Sequence, residues 1–410
     1  MINLFVFISL YISNFKNKSA ASFLYGLQVL SLSGVYFVGE YYVVDSFTTA
    51  FNTCFTILIL VLIISPWRKY KNIKEIVYLR ETKIRKVTIF LLGVNLIIFI
   101  SLVIISIFVF TFFDEINELK YSGDFMDILY DQFPIFVKGY LLAYYLHSLS
   151  YFLIVLHFYY LKKGSYKMSI YCFILSLNIV LYGLTFFSRW TIVNYVLLYF
   201  LAFFMFKNSL DKKIRKKIFR ISTIFVSILI FLFVSISYNR FDENISYSNK
   251  IPRSSIIQNP TAFSLFDYLS QSHVNGMRIL DDYNFETFNG QASFSALLSL
   301  LEQYGIINEY NYLEIREEML PDNYWLFNGL VSELVYDFGY IITFILAIFY
   351  YLIVKKLRPI GNAMSLKNAF IIILLLQVPL LAIFYSSVAS LVMPLILLIP
   401  IYLYLYLSKI

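Results

Sequence analysis

Long apolar runs separated by short charged turns make up most of this chain. Eleven such runs are read, at 2–15, 19–39, 46–65, 87–113, 134–161, 168–187, 190–206, 221–237, 329–354, 368–386 and 388–407. All but the short first run reach the roughly 17–25 helical residues that cross the hydrocarbon of a bilayer. One long polar stretch interrupts them, at 238–328, about 90 residues rich in aromatic side chains. Its aromatic content argues against disorder, and its Ser293 to Leu301 portion is an amphipathic stretch that fits a membrane surface. The pattern predicts an all-α polytopic membrane protein of about eleven transmembrane helices. Eight of these fall in 1–237, one large outer loop fills 238–328, and three more helices fall in 329–410.

Composition agrees with this. Hydrophobic residues are 60% of the chain and charged residues 14%, with a mean hydropathy of +0.73, well outside the usual range of soluble domains. Charge then adds orientation. Sorted by loop, 25 of the 33 Lys and Arg fall on one side of the predicted membrane and 22 of the 25 Asp and Glu on the other. The two faces therefore carry +22 and −14, which sum to the formal +8. Loop lysines and arginines mark the cytoplasmic side. The N-terminus is therefore expected outside, the C-terminus in the cytoplasm and the 238–328 loop outside. The basic pI reports this partition and not an affinity for nucleic acid.

Several function classes drop out. The basic connections are about 21 residues at most, too short for a nucleotide-binding domain. No Walker, dinucleotide, HExxH or GxSxG pattern is present. No cofactor and no metal is expected. Cys54 and Cys172 sit in apolar runs and read as small core residues. His147 and His157 lie ten apart in the fifth run, which suits packing or a hydrogen bond better than metal ligation. Enrichment in Phe, Tyr, Ile, Lys and Asn is typical of low-GC bacterial genomes.

Eight cations lie on the acidic face, and five of them are arginines: Arg189, Arg240, Arg253, Arg278 and Arg316. Arg189 interrupts an apolar stretch from Met168 to Phe206 that is long enough for two spans, so it belongs at the outer turn of a tight helical hairpin. There it either snorkels to headgroups or grips a phosphate with its planar bidentate donors. Arg240, Arg253 and Arg278 either complete an anion-binding rim with it or pair with neighbouring carboxylates. Glu333 and Asp337 begin the ninth run, four residues apart and so on one helical face. They serve either as helix N-terminal acids or as a carboxylate pair with one general base. His273, the only histidine in the outer loop, is a further candidate base.

Three stretches carry a family resemblance: Phe187-Ser-Arg-Trp at the hairpin, Tyr268-Leu-Ser-Gln-Ser-His-Val-Asn-Gly in the outer loop, and Asn323-Tyr-Trp-Leu-Phe-Asn followed by Tyr336-Asp-Phe-Gly-Tyr. With the multispan layout and its late outer loop, the chain resembles the Wzy-type O-antigen or oligosaccharide repeat-unit polymerases. The resemblance implies a glycosyltransferase fold of the GT-C kind in the bacterial inner membrane. Its activity would join undecaprenyl-diphosphate-linked repeat units at the periplasmic face into O-antigen or capsular polysaccharide, alongside a flippase and a chain-length regulator. It also implies diphosphate binding by Arg189, Arg240, Arg253 and Arg278, catalysis involving Glu333, Asp337 and His273, and substrate contacts at Tyr268, Asn323 and Tyr336. An O-antigen ligase is the nearest alternative and a repeat-unit flippase the second. The absence of internal repeats and the long outer loop argue against a flippase.

Overall fold

A computed structural model describes residues 2–78, 80–111, 143, 145–185, 189–241, 251–308, 314, 315, 318 and 327–406. Helices dominate. In chain order they are α1 (Ile2–Phe15), α2 (Ala20–Val38), α3 (Phe47–Ile64), α4 (Glu81–Thr111), α5 (Ser150–Lys162), α6 (Tyr166–Ser176), α7 (Asn178–Thr185), α8 (Arg189–Phe206), α9 (Lys212–Phe241), α10 (Pro260–Asp281), α11 (Ser295–Gln303), α12 (Leu330–Lys356), α13 (Leu366–Leu375), α14 (Gln377–Leu381) and α15 (Val388–Tyr406). A small exception to the all-α expectation is a parallel pairing of β1 (Glu75–Val77) with β2 (Ala363–Ser365), in register Ile76 to Met364.

Among the described residues, seven helical stretches are long and apolar enough to cross a membrane: Ala20–Val38, Phe47–Lys69, Glu81–Ile107, Tyr166–Thr185, Thr191–Ser209, Leu330–Lys356 and Val388–Tyr406. Two shorter apolar helices occupy Ile2–Phe15 and Leu366–Leu381. The protein is thus a mostly helical, membrane-embedded chain. The helical segments follow the apolar runs closely, since in hydrocarbon a helix is the local way to satisfy every backbone N–H and C=O. The run at 168–187 departs from one continuous helix by breaking between α6 and α7, and most of the run at 134–161 lies outside the described residues.

The chain divides into two compact units. The first comprises Met1–Ile73, Lys212–Asn362 and Leu375–Val392, and the second Lys74–Asp211, Ala363–Leu374 and Met393–Ile410. In the second unit α5 is buried along nearly its whole length and packs with α4, α6 and α8. Buried polar pairs fix these contacts. The Ser150 hydroxyl donates to Asn95 Oδ1 (2.5 Å), and Asn178 donates its amide to the Asn95 carbonyl (2.8 Å). His157 is buried between Ser169 (2.9 Å) and the Tyr199 hydroxyl (3.0 Å), in the packing role expected for it. Both cysteines are free, Cys172 buried but Cys54 exposed, contrary to its expected place in a core.

The first unit holds the main correction to the sequence reading. The segment expected to be one large outer loop holds a helix: its residues 260–281 form α10, a helix of 22 residues packed against α2, α3, α9 and α12. Local chemistry explains the helix. Asn259 caps it by accepting from the Ala262 N–H (2.9 Å), Pro260 sits at its first position, and Arg278 lies in its last turn. Gly276 lets α10 approach the chain just before α12, because a Cβ there would overlap the Asn328 carbonyl oxygen. The amphipathic stretch read at Ser293 to Leu301 becomes α11, Ser295–Gln303.

Candidate functional site

The polar residues of α10 gather around the extended link between α2 and α3. Gly39 ends α2 at φ +78°, and a Cβ there would come within 2.6 Å of the Ser254 backbone. The link is stitched to the turn before α10, since Ser254 donates to the Gly39 carbonyl (2.9 Å) and the Ile256 N–H to the Phe37 carbonyl (3.0 Å). Glu40 then reaches Arg278 (3.9 Å), and the Tyr42 hydroxyl donates to Asp281 Oδ2 (2.6 Å). The other Asp281 oxygen accepts from the Asn52 amide (2.8 Å), and Asn52 Oδ1 accepts from the Tyr340 hydroxyl (2.6 Å). A chain of polar contacts thus joins α3, α10, α12 and the link in one unit.

Asp267 belongs to the same surroundings. Burial, and secondarily the negative charge of Glu40, push its carboxyl up to about 7. Its neighbour one turn on, Gln271, lies 3.4 Å away. A carboxyl with that pKa exchanges protons near neutrality, as a general base or acid must. Asp267 is not legible as a site residue from sequence, because nothing in its local pattern announces burial. The Asn259-Pro260 start signal and the apolar spacing of Phe263, Val274 and Met277 were the available clues to its helix.

His273 lies one and a half turns further along α10, beside a small cavity of about 30 Å³ that is also lined by Asn3, Thr56, Ser272 and Ser332. That volume suits one or two waters. Its Nε2 is shut off from solvent and has no hydrogen-bond partner among the described residues. Burial pushes its pKa down to about 4, so it is neutral at pH 7.

The two acids of α12 hold backbone turns. The nearly fully buried Asp337 accepts from the N–H groups of Ala292 (3.1 Å) and Ser293 (2.8 Å), and its carbonyl accepts from Gly290 (3.0 Å). Glu333 accepts from the Ser386 N–H (2.7 Å). One turn of helix therefore anchors two distant segments of the chain. Just beyond it, α12 kinks at Gly339. Tyr336 is buried, with its hydroxyl donating to the Ile279 carbonyl (3.1 Å). Tyr268 is half-buried, its ring packed edge-on to Phe327 at 4.5 Å between centroids.

No protein-family model matches the chain, and neither does any curated protein or solved structure. The site therefore rests on its own geometry. Of the four arginines singled out, Arg278 is half-exposed and pairs loosely with Glu40, and Arg253 is exposed in the turn joined to Gly39. Arg189 is the first residue of α8 and Arg240 lies near the end of α9; the side chains of both, and all of Asn323, lie outside the described residues. Among the described residues no group of three His, Cys, Asp or Glu is arranged to hold a metal.

Proposed function

We propose that this protein is a polymerase that joins undecaprenyl-diphosphate-linked oligosaccharide repeat units at the outer face of a bacterial inner membrane. In this reading the chain has eleven spans in a GT-C-like arrangement, with its N-terminus outside and its C-terminus in the cytoplasm. The observation that supports it most is α10. A segment expected on the acidic outer face is a helix packed on membrane helices, and it carries a carboxyl poised near neutrality, a half-exposed arginine and a hydrogen-bonded aspartate.

These groups match the demands of the reaction. A hydroxyl of the acceptor sugar attacks the anomeric carbon of the donor unit, the bond to the lipid diphosphate breaks, and the hydroxyl proton passes to a base. Asp267 is suited to take that proton. Arg278, with Arg189, Arg240 and Arg253, would offset the charge developing on the departing diphosphate. Glu333 and Asp337 hold the surrounding backbone, and His273 stays neutral and enclosed within α10. The lipid-linked donor is already activated, so no nucleotide is consumed.

The deciding experiment gives the purified protein only lipid-linked repeat units. Elongation without nucleotide, ATP or lipid A core is expected, and Arg189→Ala should abolish it while Arg189→Lys restores little. A requirement for a nucleotide sugar would overturn the proposal. So would a deletion strain that accumulates long lipid-linked polymer, which is the behaviour of a ligase.

A further inference from the structure

The second unit contains a groove with no part in the polymerase reading. Between α4 and the C-terminal half of α15 lies a cavity of about 440 Å³, within the roughly 300–1,000 Å³ typical of ligand sites. Val87, Phe90 and Val94 line it at helical spacing from α4, and Leu397, Ile401 and Tyr404 line it from α15. Lys86 is the only lining residue that is charged. Phe90 is 58% exposed, so the groove is open to its surroundings.

Its two ends differ. The helices run antiparallel here, so that Lys83, one turn before Lys86, brings its ammonium within 5.2 Å of the Tyr404 ring. Lys367 gathers at the same end, 5.8 and 5.0 Å from the rings of Tyr402 and Tyr406. Glu81, the adjacent acid, is engaged by Lys163. Among the described residues, neither Lys83 nor Lys86 has a carboxylate partner. The far end, at Val94 and Leu397, is wholly apolar and lies about 10 Å along α4 from Val87.

An apolar slot with ammonium groups at one mouth complements an amphiphile with an anionic head. A soluble anion would gain nothing from the apolar walls, and a zwitterionic lipid brings its own cation to a site already cationic. The lysines also fall on the face that charge asymmetry assigns to the cytoplasm, where anionic headgroups meet basic clusters between helices.

We propose that this groove binds one anionic phospholipid, with its phosphate at Lys83 and Lys86 and an acyl chain between α4 and α15. The proposal is independent of the polymerase reading. Full-length protein stripped of lipid in detergent is titrated with phosphatidylglycerol or with phosphatidylcholine of matched chains, and retained lipid is counted by native mass spectrometry. One phosphatidylglycerol should persist under conditions that remove phosphatidylcholine. A Lys83→Gln/Lys86→Gln double variant should bind phosphatidylglycerol roughly 30-fold more weakly, at about fivefold per lysine. A Lys74→Gln/Arg85→Gln variant, which removes equal charge from positions that neither line the groove nor approach the Tyr404 ring, should retain wild-type affinity. Equal retention of the two lipids, or equal weakening by both double variants, would show ordinary boundary lipid and overturn the proposal. Preferential capture of a polyprenyl phosphate over phosphatidylglycerol would overturn the choice of occupant.

Discussion

Removing the Asp337 carboxylate separates an architectural acid from a catalytic one. Its two oxygens accept the Ala292 and Ser293 N–H groups at 3.1 and 2.8 Å, and the side chain is nearly fully buried. Asp337→Ala leaves both donors without a partner in a place that water does not easily reach. An unsatisfied buried donor costs about 1–3 kcal/mol, so the pair is worth about 2–6 kcal/mol. Asp337→Asn keeps one acceptor and turns an amide N–H₂ toward the other donor, so its loss should be about half as large. The assay is thermal unfolding of the full-length protein in detergent, followed by size-exclusion fluorescence, with limited proteolysis of the 282–294 turn as a second readout. Both variants should melt several degrees lower, in the order Ala below Asn, and the turn should become cleavable. Elongation activity should fall only as far as folded protein is lost. If Asp337→Asn melts like the wild type and yet elongates nothing, the anchoring role is wrong and Asp337 is the base.

Three further outcomes are expected. Gly276→Ala should cost about 1–3 kcal/mol through overpacking against Asn328, whereas Gly93→Ala, where a Cβ meets nothing within 4 Å, should be neutral or slightly stabilising; equal melting temperatures for the two would refute the close approach. The Asp267 carboxyl is raised when folded, to about 7 against an ordinary 3.8, so its contribution to stability is complete below about pH 4 and is lost as pH rises through 7. Stability should therefore decline across that window in the wild type and less so in Asp267→Asn, and parallel profiles would remove Asp267 from consideration. Reporter fusions after Arg80, Lys163, Arg215 and Lys356 should report cytoplasm and those at Glu118 and Tyr283 the outside; a cytoplasmic Tyr283 would sink both the topology and the external site.

Hydropathy determined much of the helical layout of this protein without reference to its fold. In a bilayer each span must satisfy its own backbone hydrogen bonds, so a run of apolar residues such as 47–64 or 388–406 is already a helix before it meets any neighbour. Arg189 at the start of α8 was legible for the same reason, as a charge that an apolar hairpin tolerates only at its turn. Other features depended on tertiary contact. Residues 260–281 are too polar to read as a span, and only packing on α2 and α3 reveals that they form a buried helix. Asp267 gains its raised pKa from that burial and from Glu40, 227 residues earlier in the chain. Glu333 and Asp337 look like a matched pair in sequence, yet they serve different turns, because hydrogen-bond partners are chosen by what the fold brings within about 3 Å and not by spacing along the helix.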